Sequence, residues 1–158
     1  MALTLTFSVL LTICLTVRVS LVKSSSYCSN YTALSDETRS IGYRDGTYLG
    51  CDGYIKVGWY RFMGKAGASL LDYDPGLQPY AYRCQTHAAG WLNGQHPNVS
   101  EGEVTRKVCF TWWFRGKCTW SVDIKIKNCG TYYIYRLVPL YGCYLRYCGT
   151  GRNCKQIL

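Results

Sequence analysis

The residues of this chain best suited to covalent chemistry are its cysteines, of which there are ten. Cys14 lies in an apolar amino-terminal segment, and nine cysteines follow it. Cysteines this frequent in a secreted chain form disulfides more often than they bind metal. Eight of the nine can close four disulfides and one is left over, but the sequence leaves the pairing open. The nine candidates are Cys28, Cys51, Cys84, Cys109, Cys118, Cys129, Cys143, Cys148 and Cys154.

Two histidines, His87 and His96, and two turn aspartates, Asp72 and Asp74, are the other side chains whose types suit a chemical site. They suggest a zinc site or an acid–base pair, set against a purely structural role. No HExxH motif, GxSxG turn or phosphate-binding loop accompanies them. We therefore expect no enzyme, no cofactor and no metal, with a secreted enzyme or metal-binding protein as the alternative.

Two sequons of the form N-x-[ST] predict N-linked glycans, one at Asn30 and one at Asn98. Acceptors of this kind lie on the surface of secreted proteins. Asn98 belongs to the segment 90–102, whose glycines and proline predict a loop in which an acceptor is accessible.

Aromatic side chains are the third notable group, with fifteen tyrosines and five tryptophans. Filling a small core and its rim is the favoured role for most of these rings, and the predicted core members are Trp59, Trp91 and Trp120. Trp112 and Trp113 are adjacent, so in a strand they point to opposite faces. One of the two is therefore expected at the surface, where it can contact a partner.

The amino-terminal segment indicates where the protein resides. Residues 2–17 are apolar apart from serine and threonine, and the run is shorter than the roughly 20 residues of a membrane-spanning helix. It predicts a signal peptide over residues 1–24, cleaved after Ser24, with an uncleaved anchor as the alternative. We therefore expect a secreted, extracellular protein without a stable membrane anchor.

The formal net charge is +9, and the basic residues are scattered rather than gathered in a run. Such a surplus is typical of a solvated surface, and it also favours acidic polysaccharides or anionic surfaces. None of the common nucleic-acid-binding motifs is present, so we expect no nucleic-acid partner.

The elements that position these residues are predicted to be strands. Between Ser121 and Cys129, apolar and charged residues alternate with the period of a half-buried strand. Aromatic and β-branched residues predict three further strands, over 131–138, 54–62 and 108–114. Gly130 separates two of these strands, which predicts a tight hairpin or a bulge there.

Other segments are predicted to be irregular. Asp-Pro-Gly predicts a turn-rich loop over 70–79. A short helix near 30–41, with Ser35 as its N-cap, is the only predicted helix. The fold class is therefore mainly β: a small, disulfide-rich secreted domain of short antiparallel strands with long loops and at most one short helix.

Several segments, in order along the chain, resemble a known family. They are Gly58 to Phe62 (GWYRF), Arg83-Cys84, Trp91 to Pro97 (WLNGQHP), Arg106 to Cys109 (RKVC) and Cys143 to Cys148 (CYLRYC). Together they resemble the cysteine-rich domain shared by uromodulin and the pancreatic secretory granule membrane major glycoprotein. The amino-acid sequence of these segments is most similar to that of secreted invertebrate members. The resemblance implies one eight-cysteine domain over residues 28–149 and a tail over 150–158.

The resemblance implies a non-catalytic extracellular interaction module of the adhesion, matrix or host-defence type. In the two named proteins this domain presents glycans that bacterial adhesins bind. The expected partner is therefore an extracellular protein or a glycan, with a microbial adhesin as one candidate. Relatives often carry a sequon where this chain has Asn93-Gly94-Gln95, whereas here Asn98 supplies one. Whether the chain displays glycans or binds a partner on an aromatic, basic face stays open.

Two cysteines of the family pattern are missing here. Relatives usually have one in the loop before Arg83-Cys84 and another at the position of Thr119. Because both are lost together, the resemblance implies that they bridge each other in relatives. In that case Thr119 should lie beside the loop Leu70 to Gly76, with α-carbons within about 7 Å.

On this resemblance, the eight cysteines from Cys28 to Cys148 form four bridges and Cys154 lies beyond the domain. If Leu158 ends the chain, we predict a disulfide-linked dimer through Cys154. Non-reducing electrophoresis of the secreted protein should show a dimer that Cys154→Ser converts to monomer. A wild-type monomer that Cys154→Ser leaves unchanged contradicts the prediction.

Overall fold

The computed structural model describes residues 26–73 and 81–151. The predicted signal peptide, Cys14, Asp74, Cys154 and nearly all of the tail lie outside these residues. The described chain forms one seven-stranded sheet in the order β1-β2-β6-β5-β4-β3-β7, so the mainly β prediction is confirmed. The strands are β1 (Thr32–Leu34), β2 (Gly58–Phe62), β3 (Ala88–Asn93), β4 (Glu103–Trp112), β5 (Gly116–Asn128), β6 (Tyr133–Leu137) and β7 (Leu145–Tyr147).

The centre of the sheet follows from the sequence pattern. β5 pairs antiparallel with β4 on one side and with β6 on the other. Ile124 and Ile126 of β5 are buried, whereas Asp123 and Lys125 are exposed, as the alternation predicts. The predicted strands over 121–129, 131–138 and 108–114 are thus confirmed, and a hairpin with Gly130 at φ 94° joins β5 to β6. The predicted strand 54–62 is confirmed only from Gly58 onward.

The two outer strands pair in parallel, β1 with β2 and β7 with β3. The sequence pattern predicts none of the three strands β1, β3 and β7. The last four residues of β3, 90–93, belong to the segment 90–102 that was expected to be a loop, and this part of the prediction is wrong. Its residues Ala88 to Leu92 are all buried, so they show no alternation. A β-carbon on Gly90 would lie 2.5 Å from the Phe110 ring, and glycine is therefore required for this close packing.

The predicted helix over 30–41 is also wrong. Its first part is strand β1, and its second part is a 3-10 turn, Glu37–Arg39. Asp36, not Ser35, caps this turn by accepting the Thr38 N–H at 3.0 Å. The segment needs no longer helix, because tertiary contacts rather than helix propensity hold it in place. Among the described residues, no helix is long and apolar enough to cross a membrane.

Four disulfides join distant parts of the chain. The bonded pairs are Cys28–Cys129, Cys51–Cys143, Cys84–Cys148 and Cys109–Cys118. The first three close long segments, of 101, 92 and 64 residues. Cross-links of this kind contribute a few kcal/mol each, largely by restricting the unfolded chain. They supplement the apolar core beneath the sheet, whose largest fully buried members include Tyr135, Tyr147, Phe62 and Phe110.

A buried ion pair lies beside this core. The carboxylate of Asp52 is almost fully buried and accepts two hydrogen bonds from the Arg39 guanidinium, at 2.6 and 2.7 Å. It also accepts the Tyr147 N–H of β7 at 2.9 Å. The backbone N–H of Asp52 donates to Leu145 O at 3.1 Å. Asp52 therefore ties the 3-10 turn and the loop at Cys51 to the edge strand β7.

Breaking this pair should cost far more than breaking a surface pair. Asp52→Asn leaves the Arg39 charge buried without its counter-ion, and we expect it to lower the free energy of unfolding by about 3–5 kcal/mol. The matched control, Asp123→Asn, breaks an exposed cross-strand pair with Lys107 and should cost about 0–1 kcal/mol. Urea denaturation with the disulfides intact measures both, and equal costs contradict the prediction.

Candidate functional site

The loop between β3 and β4, residues 94–102, carries one of the predicted glycan acceptors and is called here the glycan loop. Side chains from the sheet hold it at two points. Arg106 of β4 donates from Nε to Gln95 O at 3.3 Å, and Asn128 of β5 donates from Nδ2 to Pro97 O at 2.9 Å. The loop is thus fixed to the strands on which it stands.

Asn98 is exposed and is the N-cap of a 3-10 turn, Val99–Glu101. Its Oδ1 accepts the Glu101 N–H at 3.1 Å and the Ser100 hydroxyl at 2.7 Å. Its own backbone N–H donates to Glu101 Oε2 at 2.7 Å, which completes a capping box. Within the described part of the chain, Asn98 Nδ2 donates no hydrogen bond. The nitrogen that would carry a glycan is therefore available, while the oxygen keeps the loop in shape.

Glu101 has a second role in the same loop. Its Oε1 accepts from Arg106 Nη2 at 3.1 Å, so one carboxylate connects the cap of the turn to strand β4. The pair is partly exposed, and its contribution to stability is modest, about 0–1 kcal/mol. It restricts the orientation of the turn and therefore the direction in which Asn98 points.

Asn30, the other sequon acceptor, is also exposed. It lies at the start of the described chain, and its backbone N–H donates to Tyr27 O at 3.2 Å. Cys28, two residues earlier, is bonded to Cys129. Both sequon asparagines thus lie at the surface next to an anchored segment.

Beneath the glycan loop lies a chain of hydrogen bonds that joins Asp72, His96 and Tyr135. His96 Nδ1 is 2.7 Å from Asp72 Oδ1, and its Nε2 is 2.7 Å from Tyr135 Oη. The Tyr135 oxygen also accepts the Leu70 N–H at 3.0 Å. The His96 ring packs against Tyr133, with ring centroids 4.4 Å apart. This cluster ties the segment at 70–72 to the loop and to strand β6.

Tyr135 is fully buried, and burial raises the pKa of its hydroxyl well above its usual range. The Leu70 N–H that donates to this oxygen acts in the opposite direction, but its effect is smaller. The hydroxyl is therefore neutral at all ordinary pH values. It holds His96 in place as a hydrogen-bond partner, and it is not exposed to an incoming substrate.

His87 has a different set of neighbours from His96. Its ring lies 5.1 Å from Tyr48 and stacks at 6.0 Å on Trp112, whereas His96 contacts Asp72 and Tyr135. In residues 26–73 and 81–151, no three histidine, cysteine, aspartate or glutamate side chains are grouped as metal ligands. The alternative of a zinc site using both histidines therefore receives no support from this part of the chain.

The tryptophans divide between core and surface. Trp91 is buried, and its Nε1 donates to Thr111 Oγ1 at 3.0 Å; Trp59 and Trp120 are partly buried. Trp112 packs against Trp120 at 5.4 Å. Trp113 follows the end of β4 and is exposed. Of the two residues predicted as partner-binding aromatics, Trp113 is the exposed one.

Tyr73, in the described part of the loop that lacks a family cysteine, contacts β5. Tyr73 stacks near Trp91, with centroids 5.1 Å apart, and its hydroxyl accepts from Lys117 Nζ at 2.8 Å. Lys117 precedes Thr119 by two residues along β5. That this loop and Thr119 carry a bridged pair in relatives stays a prediction.

The fold and its framework define a class of protein: a small β domain stabilised by four disulfides, of the kind that persists in oxidising, extracellular compartments. A family model described as a uromodulin-like domain matches residues 60–149. The chain belongs to this uromodulin-like family.

Similar proteins agree with the family assignment. Pancreatic secretory granule membrane major glycoprotein GP2 of Canis lupus familiaris is 40% identical over 132 residues, which cover 82% of this chain and 25% of that protein. The human counterpart is 37% identical over 127 residues, covering 80% of this chain and 22% of that protein. Uromodulin of Mus musculus is 38% identical over 136 residues, covering 81% and 20%. The chain thus spans about a quarter or less of the length of these relatives.

Sequence reasoning did not bring together Asp72, His96 and Tyr135. The three are distant in sequence, and Asp72 was grouped with Asp74 in a turn. The sequence carried one weak signal for such a contact. A proline restricts the backbone of the histidine that precedes it, and a histidine on a restricted backbone suits a fixed hydrogen-bond partner.

The hydrogen bonds of His96 should be coupled to Tyr135. We expect His96→Ala to lower the free energy of unfolding by about 1–3 kcal/mol, because the buried Tyr135 hydroxyl loses its acceptor. In a double-mutant cycle with Tyr135→Phe, the coupling energy should be about 0.5–3 kcal/mol.

The matched control is His87→Ala, which removes the other histidine without touching Tyr135. It should show no coupling to Tyr135→Phe in the same urea denaturation series. Additive effects of His96→Ala and Tyr135→Phe contradict the hydrogen-bonded arrangement.

Proposed function

We propose that this chain is a non-catalytic extracellular module that displays an N-linked glycan at Asn98 to a carbohydrate-binding partner of the adhesion or host-defence type. The observation that carries the proposal is the state of the Asn98 amide. Its oxygen is engaged by Ser100 and Glu101, while its nitrogen has no partner among the described residues. A glycan on Nδ2 would therefore leave the capping box intact.

The support beneath the acceptor favours display. Arg106 and Asn128 attach the glycan loop to β4 and β5, and His96 of the loop joins it to Asp72 and to Tyr135 of β6. A glycan on a fixed loop presents its sugars in a limited range of directions, which lowers the ordering cost for a partner that binds them. The resemblance to glycan-presenting relatives points to the same end of the β3–β4 pair, since their sequon position corresponds to Asn93, the last residue of β3, where this chain has no hydroxyl residue to complete a sequon.

A secreted enzyme is a weaker candidate. The carboxylate–histidine–hydroxyl chain of hydrogen bonds among the described residues ends on Tyr135, whose hydroxyl is buried and has a raised pKa. A nucleophile needs both access and an activated oxygen, and this hydroxyl has neither. The cluster therefore supports a structural role for Asp72 and His96.

Two variants separate the glycan from the cap. Asn98→Asp removes the acceptor nitrogen but keeps a good N-cap, so it should lose one glycan from the intact mass of the secreted protein without loss of stability. Ser100→Thr keeps the sequon and should retain the glycan. Unchanged mass in Asn98→Asp, relative to wild type, would falsify glycosylation at this position.

Display is tested with a panel of immobilised microbial adhesins and lectins. Capture of wild type should disappear after enzymatic removal of N-glycans and in Asn98→Asp, and it should persist in Ser100→Thr. Asn30→Gln is the matched control, since it removes the other acceptor. Capture that survives in stripped protein would contradict display and indicate that the protein surface itself binds the partner.

A further inference from the structure

A cleft lies at the end of the β3–β4 pair opposite the glycan loop. The register pairs Asn93 with Lys107 at the glycan-loop end and Gly90 with Phe110 toward the other end. Three segments meet beyond that other end: residues 43–48, the turn 81–85 that leads into β3, and Trp113 at the tip of the β4–β5 hairpin. They enclose about 490 Å³, which is within the range of small-molecule sites, about 300–1,000 Å³. We call it the aromatic cleft.

Partly exposed rings form one wall of the aromatic cleft. Tyr48 and Tyr82 are 5.1 Å apart between ring centroids, and Tyr82 is 6.5 Å from Trp113. His87 supports the wall from behind, 5.1 Å from Tyr48. Each of the three outer rings keeps more than a third of its surface exposed, although each packs against another ring. Rings that are held together yet accessible suit a ligand with an apolar face, such as the C–H face of a pyranose ring.

The polar side of the cleft has a surplus of positive charge. Arg44 and Arg83 both line it, and no carboxylate of the described residues forms an ion pair with either guanidinium. Arg83 is half-buried, and burial together with the neighbouring Arg44 charge lowers its pKa. Two arginines without counter-ions are an arrangement suited to a carboxylate or sulfate, which each guanidinium can contact through two N–H groups.

Asp45, the carboxylate among the described residues that line the cleft, is already engaged. Asp45 accepts from Thr47 N at 2.8 Å, from Tyr43 Oη at 3.1 Å and from Gln85 Nε2 at 3.2 Å. These hydrogen bonds lower its pKa, the Thr47 N–H most of all. Asp45 therefore orders the rim, and its carboxylate oxygens can accept from the hydroxyl groups of a ligand. Its charge also disfavours a polyacidic peptide.

The backbone of the turn is held in an uncommon conformation. Tyr82, Cys84 and Gln85 have φ values of 58°, 54° and 55°, a left-handed region that residues other than glycine seldom adopt. The Cys84–Cys148 disulfide, the Gly50 N–H that donates to Gln85 O at 2.6 Å and the Tyr82 N–H that donates to His87 O at 3.0 Å maintain it. Backbone held this way is frequent at ligand-binding sites, where it fixes side-chain positions in advance.

From this arrangement we propose that the aromatic cleft binds an acidic saccharide. A sugar ring lies against Tyr82 and Trp113, its carboxylate or sulfate contacts Arg83 and Arg44, and its hydroxyls meet the Asp45 rim. An acidic saccharide contacts the ring faces, the arginines and the acceptor oxygens together, whereas a neutral sugar leaves the arginines without a ligand. This activity is separate from glycan display, because it uses the opposite end of the β3–β4 pair.

The test uses the full secreted chain after enzymatic removal of its N-glycans, so it does not depend on display. Aromatic NMR signals are followed while sialyllactose, a sulfated heparin disaccharide, lactose or hexaglutamate is added. We expect one or both acidic sugars to shift the signals of Tyr48, Tyr82 and Trp113. A response to sialyllactose alone identifies a carboxylate ligand, and a response to the heparin disaccharide alone identifies a sulfate ligand.

Exposed residues provide matched variants. Arg44→Gln should weaken binding of the responding acidic sugar by about tenfold or more. Arg115→Gln, in the β4–β5 hairpin tip that carries Trp113 but outside the cleft lining, should not. Trp113→Ala should likewise weaken it. The proposal is overturned if lactose binds as tightly as the acidic sugar, if hexaglutamate binds more tightly through Arg44, or if neither acidic sugar shifts the three signals.

Discussion

The buried carboxylate of Asp52 is the interaction on which the arrangement of this domain depends. A charge removed from water needs a counter-ion and a full set of hydrogen bonds, and Asp52 obtains them from the Arg39 guanidinium and from the Tyr147 backbone. These partners come from a 3-10 turn near the start of the described chain and from the last strand. Satisfying one carboxylate therefore closes the chain on itself and fixes β7 as a parallel edge of the sheet.

The position of β7 then determines the conformation of the neighbouring turn. Arg146, in the middle of β7, donates to Cys84 O at 3.1 Å and to Asp36 Oδ2 at 3.0 Å. It thus holds the turn that contains Tyr82, Arg83 and Cys84, and the Cys84–Cys148 disulfide ties the same turn to the residue after β7. The aromatic cleft and the glycan loop occupy opposite ends of the β3–β4 pair, so one sheet serves two surfaces of different chemistry.

The parts of the fold predicted correctly are those whose pattern is local. Ile124 and Ile126 alternate with charged residues because β5 has one wet face, and that period is readable without knowledge of the partners. Ala88 to Leu92 are buried throughout, so β3 shows no period, and its glycine suggested a loop. β1 and β7 have three residues each, and they exist as strands only because parallel partners far away in sequence supply their hydrogen bonds. The segment that was predicted to be a helix forms a strand and a 3-10 turn because of the same kind of tertiary contacts.

The sequence by itself determined the inventory: the cysteine count, the two sequons, the central strands and the motifs that mark the uromodulin-like family. Those are properties of residue type and short spacing, and they do not change with the fold. The tertiary structure decided which cysteines meet, that His96 lies between Asp72 and Tyr135, that Asn98 keeps a free nitrogen, and that Trp113 joins Tyr82 and two arginines in a cleft. Each of these depends on distances between residues far apart in the chain, which only the packing of buried groups can fix.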